Sequence, residues 1–345
     1  MKLIVEKIIQ ETEDAVSVVF KKPGLFKKVK YLPGQFLTLK LPINNKIENR
    51  SYSLSSSPWI HSNLRITVKR VEGGLVSNYI CDELKEGQKI AVDKPMGNFY
   101  VDPDKTSAKN YVLLAGGSGV TPVFSILISL LEKEPNSKVT LIYANRDLKS
   151  IIFKKEIDEI ETKFPDKVKI HHLVDSDETL PTNYYNQRLN ADLLDEILQK
   201  SNMNYINSRF MMCGPQGFMD TAVEILEKKG VLKHNIMLEA FTADLTKMEN
   251  EAVEESTILI NGVGLEETIK VKKGETILQA ALDQNIDIPY SCRSGMCSSC
   301  KARCTEGQVK MLDGHLLPEK EVNEGYVLTC ISFPASEDVK LTLPQ

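Results

Sequence analysis

No stretch of this sequence stays apolar long enough to cross a membrane. The longest, residues 123–131, is short and broken by serines, where a spanning helix needs about 20 residues. Positive charge is not in excess either. Lys and Arg number 43 against 47 Asp and Glu, a net charge of −4, which removes the electrostatic case for a nucleic-acid partner. The opening MKLIVEKIIQETEDAV puts acids where a secretion leader needs an unbroken apolar core. Repeats and low-complexity tracts are missing. Histidine is sparse, with five residues. His171 and His172 fall on a predicted strand and His61, His234 and His315 are scattered, so all read as surface or packing residues rather than ligands. Seven cysteines with no leader are expected to be reduced thiols of a cytoplasmic protein. What remains is an ordinary globular composition, 42% hydrophobic and 26% charged, over 345 residues. That length suits two or three domains.

Four of the seven cysteines carry the clearest signal. Cys292, Cys297 and Cys300 read Cys-x4-Cys-x2-Cys, and Cys330 follows after a long gap. This is the ligand spacing of a plant-type [2Fe–2S] cluster, three thiolates from one tight loop and one from a distant strand. Ser294, Gly295 and Ser298 are small enough to let backbone N–H groups approach the sulfides. Cys304 imitates the tail of a bacterial ferredoxin run, but the first gap is four residues and Thr305 stands where Pro is needed. Cys304 reads as a structural neighbour. A zinc site is the competing reading, and it is disfavoured because only Cys297 and Cys300 form a clean pair.

Upstream, two patterns alternate. Residues 3–9, 15–20, 35–41, 64–71 and 88–92 are short β-rich runs between turns such as Pro23-Gly24 and Pro33-Gly34, with one helix over 75–84. Such runs predict a small antiparallel barrel over residues 1–104. Over 105–242, strands at 111–115, 139–143, 168–174, 209–213 and 236–241 alternate with helices after 122 and at 153–163, 191–200 and 218–229. That is the pattern of a doubly wound parallel α/β sheet. Residues 243–256, polar and acid-rich, read as a linker to an iron–sulfur domain at 257–345. That domain is expected to open with strands at 257–260 and 267–271 and a helix over 276–284.

Two sets of residues have uses at a flavin and a nucleotide. Arg50-Ser51-Tyr52-Ser53 offers a phosphate-binding guanidinium, a flat ring and hydroxyls. Downstream, Gly73-Gly74 feeds a helix whose first turn holds Ser77, a seat for a pyrophosphate or a plain turn and cap. Gly116-Gly117-Ser118-Gly119 follows a strand and opens a helix. It is not Gly-x-Gly-x-x-Gly, but glycine there lets a phosphate or ribose come close to backbone. Cys213-Gly214-Pro215 caps a later strand, where ligands bind in such sheets, and Cys213 is expected to face the substrate.

The order of Arg50–Ser53, Gly74-Leu75-Val76-Ser77, residues 116–122 and Cys213-Gly214-Pro215 resembles the ferredoxin–NADP reductase superfamily. With the C-terminal cysteines, the chain is similar to oxygenase reductase components, the phenylacetyl-CoA epoxidase reductase type above all. The resemblance implies a multidomain protein: a flavin-binding β-barrel, a doubly wound nucleotide domain and an α+β, β-grasp ferredoxin domain. It implies that Arg50, Tyr52 and Ser53 hold the flavin phosphate, ring face and N5 region. Thr67, Val68 and Lys69 would line the ribityl–phosphate side, and Gly74, Val76 and Ser77 the pyrophosphate. Ser53 and Thr121 would stand where hydride arrives, and Phe241, in Glu239-Ala240-Phe241, would lie near the flavin or simply pack. Gly117, Ser118, Cys213, Gly214 and Pro215 would position the nicotinamide nucleotide. The glycine segment looks like the FAD form rather than the FMN form. Arg146, after the second strand of the sheet, suits a 2′-phosphate, so the donor leans to NADPH over NADH, although Asp147 beside it points the other way.

The expected activity is electron transfer from NAD(P)H through FAD and a [2Fe–2S] cluster to an acceptor protein such as an oxygenase component. Arg293, Lys301 and Arg303 form a candidate docking rim or a solvated basic edge. Two other classes stand beside it: a redox-sensing iron–sulfur protein without turnover, and a self-sufficient reductase of a small molecule.

Overall fold

A computed structural model describes residues 1–21, 29–175, 180–242, 253–262, 264–313 and 315–344. The chain divides into two compact units, Met1–Glu239 and Ala240–Gln345. No helix among the described residues is long and apolar enough to cross a membrane.

The first unit opens with six antiparallel strands: β1 (Lys2–Thr12), β2 (Ala15–Lys21), β3 (Phe36–Ile43), β4 (Lys46–Ser53), β5 (Leu64–Lys69) and β6 (Lys89–Val92), with α1 (Leu75–Asp82) before β6. Their order is β4-β3-β6-β1-β2-β5, and a bridge from Leu54 to Ile66 draws the end of β4 to β5. Inward residues such as Val18, Phe20, Leu37, Leu39 and Ile66 are fully buried and fill the interior. The β3–β4 turn is Asn44-Asn45, both at positive φ (50° and 61°), the backbone that a two-residue hairpin requires and that Asn tolerates. It fixes the register that places Arg50 opposite Leu39 and Tyr52 opposite Leu37.

The same unit continues into β7 (Asn110–Gly116), α2 (Val120–Lys133), β8 (Lys138–Asn145), α3 (Lys154–Lys163), β9 (Val168–Val174), β10 (Tyr184–Tyr185), α4 (Ala191–Lys200), β11 (Ser208–Cys213), α5 (Gln216–Lys228) and β12 (Ile236–Glu239). The strands are all parallel, ordered β10-β9-β8-β7-β11-β12. They read as near-continuous apolar runs because helices cover the sheet. Helix α2 is buried along nearly its whole length, which explains its run of Val, Phe, Ile and Leu. Strand order reverses between β7 and β11, the switch point where open α/β sheets bind ligands. Gly116 and Cys213 end those two strands.

Barrel and sheet are joined by polar contacts. Ser125 Oγ donates to Ser56 O at 2.6 Å, and Ser129 Oγ donates to Ser57 Oγ at 2.9 Å. Arg65, on β5, pairs with Glu156 on α3 at 2.7 Å. Its guanidinium lies over the rings of Phe153 (4.6 Å) and Phe124 (5.4 Å).

The second unit holds β13 (Glu255–Gly262), β14 (Leu265–Lys272), α6 (Ile277–Asp283), β15 (Lys301–Glu306), β16 (Val309–Met311), α7 (Glu319–Asn323), β17 (Tyr326–Leu328), β18 (Ser332–Pro334) and β19 (Asp338–Thr342). Five strands form a mixed sheet, β14-β13-β19-β15-β17, and β16 pairs with β18. Helix α6, capped by Thr276 accepting from Gln279 N, buries Ile277, Leu278, Ala280 and Ala281 in a core with Ile258, Ile260 and Leu341. This is the α+β arrangement expected of a ferredoxin-type domain. Most of the expected linker, residues 243–252, lies outside the described residues, while Glu255 and Ser256 already belong to β13.

Candidate flavin, nucleotide and cluster sites

Arg50, Tyr52 and Ser53 lie together at the end of β4, Ser53 buried and Arg50 and Tyr52 half-buried. Burial pushes the Tyr52 phenol upward, with Arg50 opposing and Cys81 of α1 adding to the shift. Tyr52 and Cys81 of α1 pack against the same barrel core. Gly73 has φ +67° with open space at its missing side chain, while a Cβ on Gly74 would stand 2.6 Å from Ser77 Oγ. Ser77 Oγ accepts from Val71 N at 3.1 Å and lies 3.3 Å from Gly74 O. Its hydroxyl thus shapes the glycine turn. No side chain caps α1, and its first turn holds no acid. Its leading N–H groups remain available to an anion, which fits the flavin pyrophosphate.

The β5 residues divide by role. Thr67 Oγ1 is held by Ser17 Oγ (2.8 Å) and Ser55 Oγ (2.9 Å), and Val68 is fully buried in the barrel core. Lys69 reaches out: its Nζ lies 3.8 Å from where a Cβ on Gly117 would stand. The barrel edge and the loop after β7 therefore meet in one place.

At the switch point, glycine is required by contact. A Cβ on Gly119 would stand 2.0 Å from Cys213 O, one on Gly116 2.6 Å from Pro215 Cδ, and one on Gly214 3.0 Å from Gly116 Cα. The loop after β7 and the turn after β11 touch backbone to backbone. Thr121 follows in the first turn of α2, 2% exposed, and Ser118 is half-buried. Cys213 packs its thiol into the core, fully buried. Burial, then the nearby Glu239, pushes that thiol well up, so it stays protonated and apolar. What it offers the loop is its carbonyl.

Arg146 follows β8 with its side chain 79% exposed and pairs with Asp147 at 3.2 Å. Asp147 is engaged in a capping box with Ser150: Ser150 N donates to Asp147 Oδ1 at 2.8 Å. Asp147 thus anchors its own loop. Phe241 falls in the second unit, 41% exposed.

In the second unit, Gly295 turns the cysteine loop at φ +75°, and a Cβ there would stand 2.7 Å from Ile331 Cδ1. Arg293 also has positive φ (60°), its guanidinium 4.7 Å from the Tyr290 ring. Ser294 N donates to Cys292 Sγ at 3.4 Å, the backbone-to-sulfur contact expected of this loop. Cys330 lies in a 3-10 turn, Thr329–Ile331, between β17 and β18 rather than on the expected strand. Thr329 fixes that turn by donating through N (3.1 Å) and Oγ1 (3.2 Å) to Cys300 O. The four thiols share hydrogen bonds, Cys292 with Cys297 and Cys330, and Cys300 with Cys330. That sharing, with Cys297 first and then Cys330, pulls the Cys292 thiol down. The same sharing pushes Cys297 and Cys330 up. Among the described residues, no three His, Cys, Asp or Glu side chains gather as for a metal ion. The thiols stand instead as one linked set, Cys292 between Cys297 and Cys330, and Cys330 between Cys292 and Cys300. Cys304, on β15, lies 3.4 Å from Glu306 O and stands outside this set.

Sequence reasoning put Lys301 and Arg303 on a docking rim. In the structure Lys301 pairs with Glu321 on α7 at 3.2 Å, and Arg303 Nε donates to Glu324 O at 3.1 Å. Both also lie over the Tyr326 ring.

A barrel with an uncapped helix beside Arg50 and Tyr52, a glycine seat at a parallel-sheet switch point and a four-thiol loop define a class. The chain belongs to the ferredoxin–NADP reductase-like oxidoreductases that join FAD-, NAD- and 2Fe–2S-binding domains. Three family models match in chain order: the oxidoreductase FAD-binding domain over residues 2–100, the oxidoreductase NAD-binding domain over 113–224 and the 2Fe-2S iron-sulfur cluster binding domain over 258–335. Among relatives, the ferredoxin reductase component of 3-ketosteroid-9-alpha-monooxygenase from Rhodococcus rhodochrous is 34% identical, over 98% of this chain and 95% of that protein. One of the component chains of 1,2-phenylacetyl-CoA epoxidase from Escherichia coli K12 is 32% identical, over 98% and 96%. Phthalate dioxygenase reductase shares the architecture with a TM-score of 0.67 and 25% identity, over 99% of this chain and 98% of that one.

Proposed function

We propose that this protein draws electrons from NAD(P)H and delivers them singly to the oxygenase component of a multicomponent system. The observation that carries this reading is one chain holding both a glycine seat at the β7/β11 switch point and a four-cysteine loop. A bound flavin supplies the coupling between a two-electron hydride donor and a one-electron carrier. The protein's own residues bind and orient. Arg50 and the α1 N-terminus answer the flavin's phosphates, and Gly117, Ser118 and the Cys213–Pro215 turn seat the nicotinamide nucleotide. No side chain is needed as acid or base in hydride transfer, which fits the buried, protonated Cys213. The oxygenase relatives support an oxygenase as acceptor, and the free cysteines suit a reducing cytoplasm.

Arg146 supports NADPH as donor, because its exposed guanidinium can meet a 2′-phosphate while Asp147 is held in its cap. The protein is purified, its visible spectrum recorded, and NADPH and NADH titrated anaerobically. The expected result is bleaching of both flavin and iron–sulfur bands, with Arg146→Ala raising the NADPH requirement about tenfold and leaving NADH nearly unchanged. If neither nucleotide reduces either centre, the reductase reading falls. Equal effects of Arg146→Ala on both nucleotides would sink the NADPH assignment alone.

A further inference from the structure

Tyr143 stands on β8, fully buried, its ring 5.8 Å from that of His172 on β9. Its hydroxyl accepts from Ile152 N at 3.2 Å and has two carbonyl neighbours, Gly117 O at 3.3 Å and Ile152 O at 3.5 Å. A phenol has one proton to give, and the shorter contact is to Gly117 O, at the start of the nucleotide loop. That same carbonyl accepts from Val120 N at the loop's far end. Burial pushes the phenol's pKa up, so the donor is present throughout the working pH range.

The direction of one peptide follows. A trans peptide is planar, and its C=O and N–H point opposite ways. Holding Gly117 O toward the phenol aims the N–H of Ser118 away from it. Gly117 has φ +53°, and a peptide following such a flexible glycine turns over at little cost unless something holds it; here Val120 N and the Tyr143 hydroxyl both grip Gly117 O. Turned over, it would offer a carbonyl oxygen to an incoming phosphate or ribose in place of a donor.

We propose that Tyr143 is a positioning residue for the dinucleotide loop: its hydroxyl fixes the Gly117–Ser118 peptide with the N–H facing the ligand. This rests on the reading of residues 116–119 as the dinucleotide seat, and adds a side chain that itself never touches the ligand.

The test uses the full chain with its flavin and follows anaerobic flavin reduction by NADH and NADPH in a stopped-flow instrument. Tyr143→Phe keeps the ring and removes the hydroxyl. Tyr111→Phe is the matched control: Tyr111 is buried on neighbouring β7, and its hydroxyl donates to Glu134 Oε1 at 3.3 Å. The expected result for Tyr143→Phe is a weakening of nucleotide binding by about tenfold, the worth of one hydrogen bond to a charged group. Its limiting rate stays within about twofold, and Tyr111→Phe binds normally. Equal weakening in both variants, or none in Tyr143→Phe, overturns the proposal. Ser118→Asp places a negative charge on the seat itself. If that variant weakens binding and Tyr143→Phe does not, only the role of Tyr143 falls; if neither does, the seat falls and the proposal with it. Should Tyr143→Phe fold poorly, amide exchange of the wild type decides. The Ser118 amide must slow when NAD⁺ or NADP⁺ is added, and an unchanged rate refutes its facing the ligand.

Discussion

Gly119→Ala should part the nucleotide loop from the turn after β11. The added Cβ would stand 2.0 Å from Cys213 O, 2.4 Å from its carbonyl carbon and 2.8 Å from Gly214 N. All three are backbone atoms, so no rotamer change relieves the clash. Real Cβ atoms keep at least 3.0 Å, so loop and turn must separate by about 1 Å, an overpacking that costs roughly 1–3 kcal/mol. A shift of that size at a hydride-transfer site lowers the rate by about a hundredfold. Flavin should remain bound, because Arg50, Gly74 and Ser77 are untouched. The assay is anaerobic flavin bleaching by NAD(P)H with flavin content and thermal melting read on the same preparation. Gly217→Ala is the counterpart. Gly217 lies within α5 with nothing within 4 Å of its missing side chain, so the same substitution there should stabilise by about 0.5–1 kcal/mol. A Gly119→Ala protein that melts and bleaches like the wild type would refute the backbone-to-backbone seat.

Three further outcomes are expected. Arg65→Ala leaves Glu156 without its ion pair and opens space between Phe124 and Phe153. Chemical denaturation should report a loss of roughly 3 kcal/mol, and a loss below about 0.5 kcal/mol would discount this joint between barrel and sheet. Burial, foremost, lowers His171 and His172 from 6.5 to about 4. The unfolded chain then binds more protons in that window, so stability is full above pH 6.5 and is lost as pH falls toward 4, by up to ~3 kcal/mol per histidine. Denaturation midpoints from pH 7.5 to 4.5 check this, and His172→Gln should flatten the slope. Cys292→Ser should remove the iron–sulfur absorbance and most bound iron while NAD(P)H still bleaches the flavin, whereas Cys304→Ser should leave the iron content intact. Iron loss from Cys304→Ser would reassign the ligand set.

Features written locally were legible before the fold was known. The Cys-x4-Cys-x2-Cys loop, the strand–glycine–helix units and the alternation of strands with helices depend on neighbours a few residues apart. Features set by partners far along the chain were not. Cys330 sits in a 3-10 turn because Thr329 bonds to Cys300 O, 29 residues away, which no local propensity encodes. The partners of Lys301 and Arg303, the Glu321 carboxylate and the Glu324 carbonyl, lie about 20 residues away and are invisible in a six-residue window. Arg65 and Glu156 are 91 residues apart. Strand β19 went unread because Asp338–Thr342 is short and earns its place by pairing in parallel with β13. The Asn44-Asn45 hairpin had a local signature in its tandem asparagines and was available to sequence reasoning. Tyr143 ends a predicted buried strand, and the partners of its hydroxyl, Gly117 O and Ile152 N, lie 26 and 9 residues away.

The glycine seat and the Arg146 loop differ in how freely they can be rewritten. Gly119 excludes any larger residue because Cys213 backbone presses on it, Gly116 is closed off by the Pro215 ring, and Gly214 sits tight against Gly116, so the seat admits little sequence drift without moving. The stretch after Asn145 is the reverse: Asp147 and Ser150 close it on itself through their own capping box, and Arg146 projects into solvent. If Arg146 selects the coenzyme as proposed, an engineer has a self-contained cassette to exchange there, with the glycine seat left as inherited hardware.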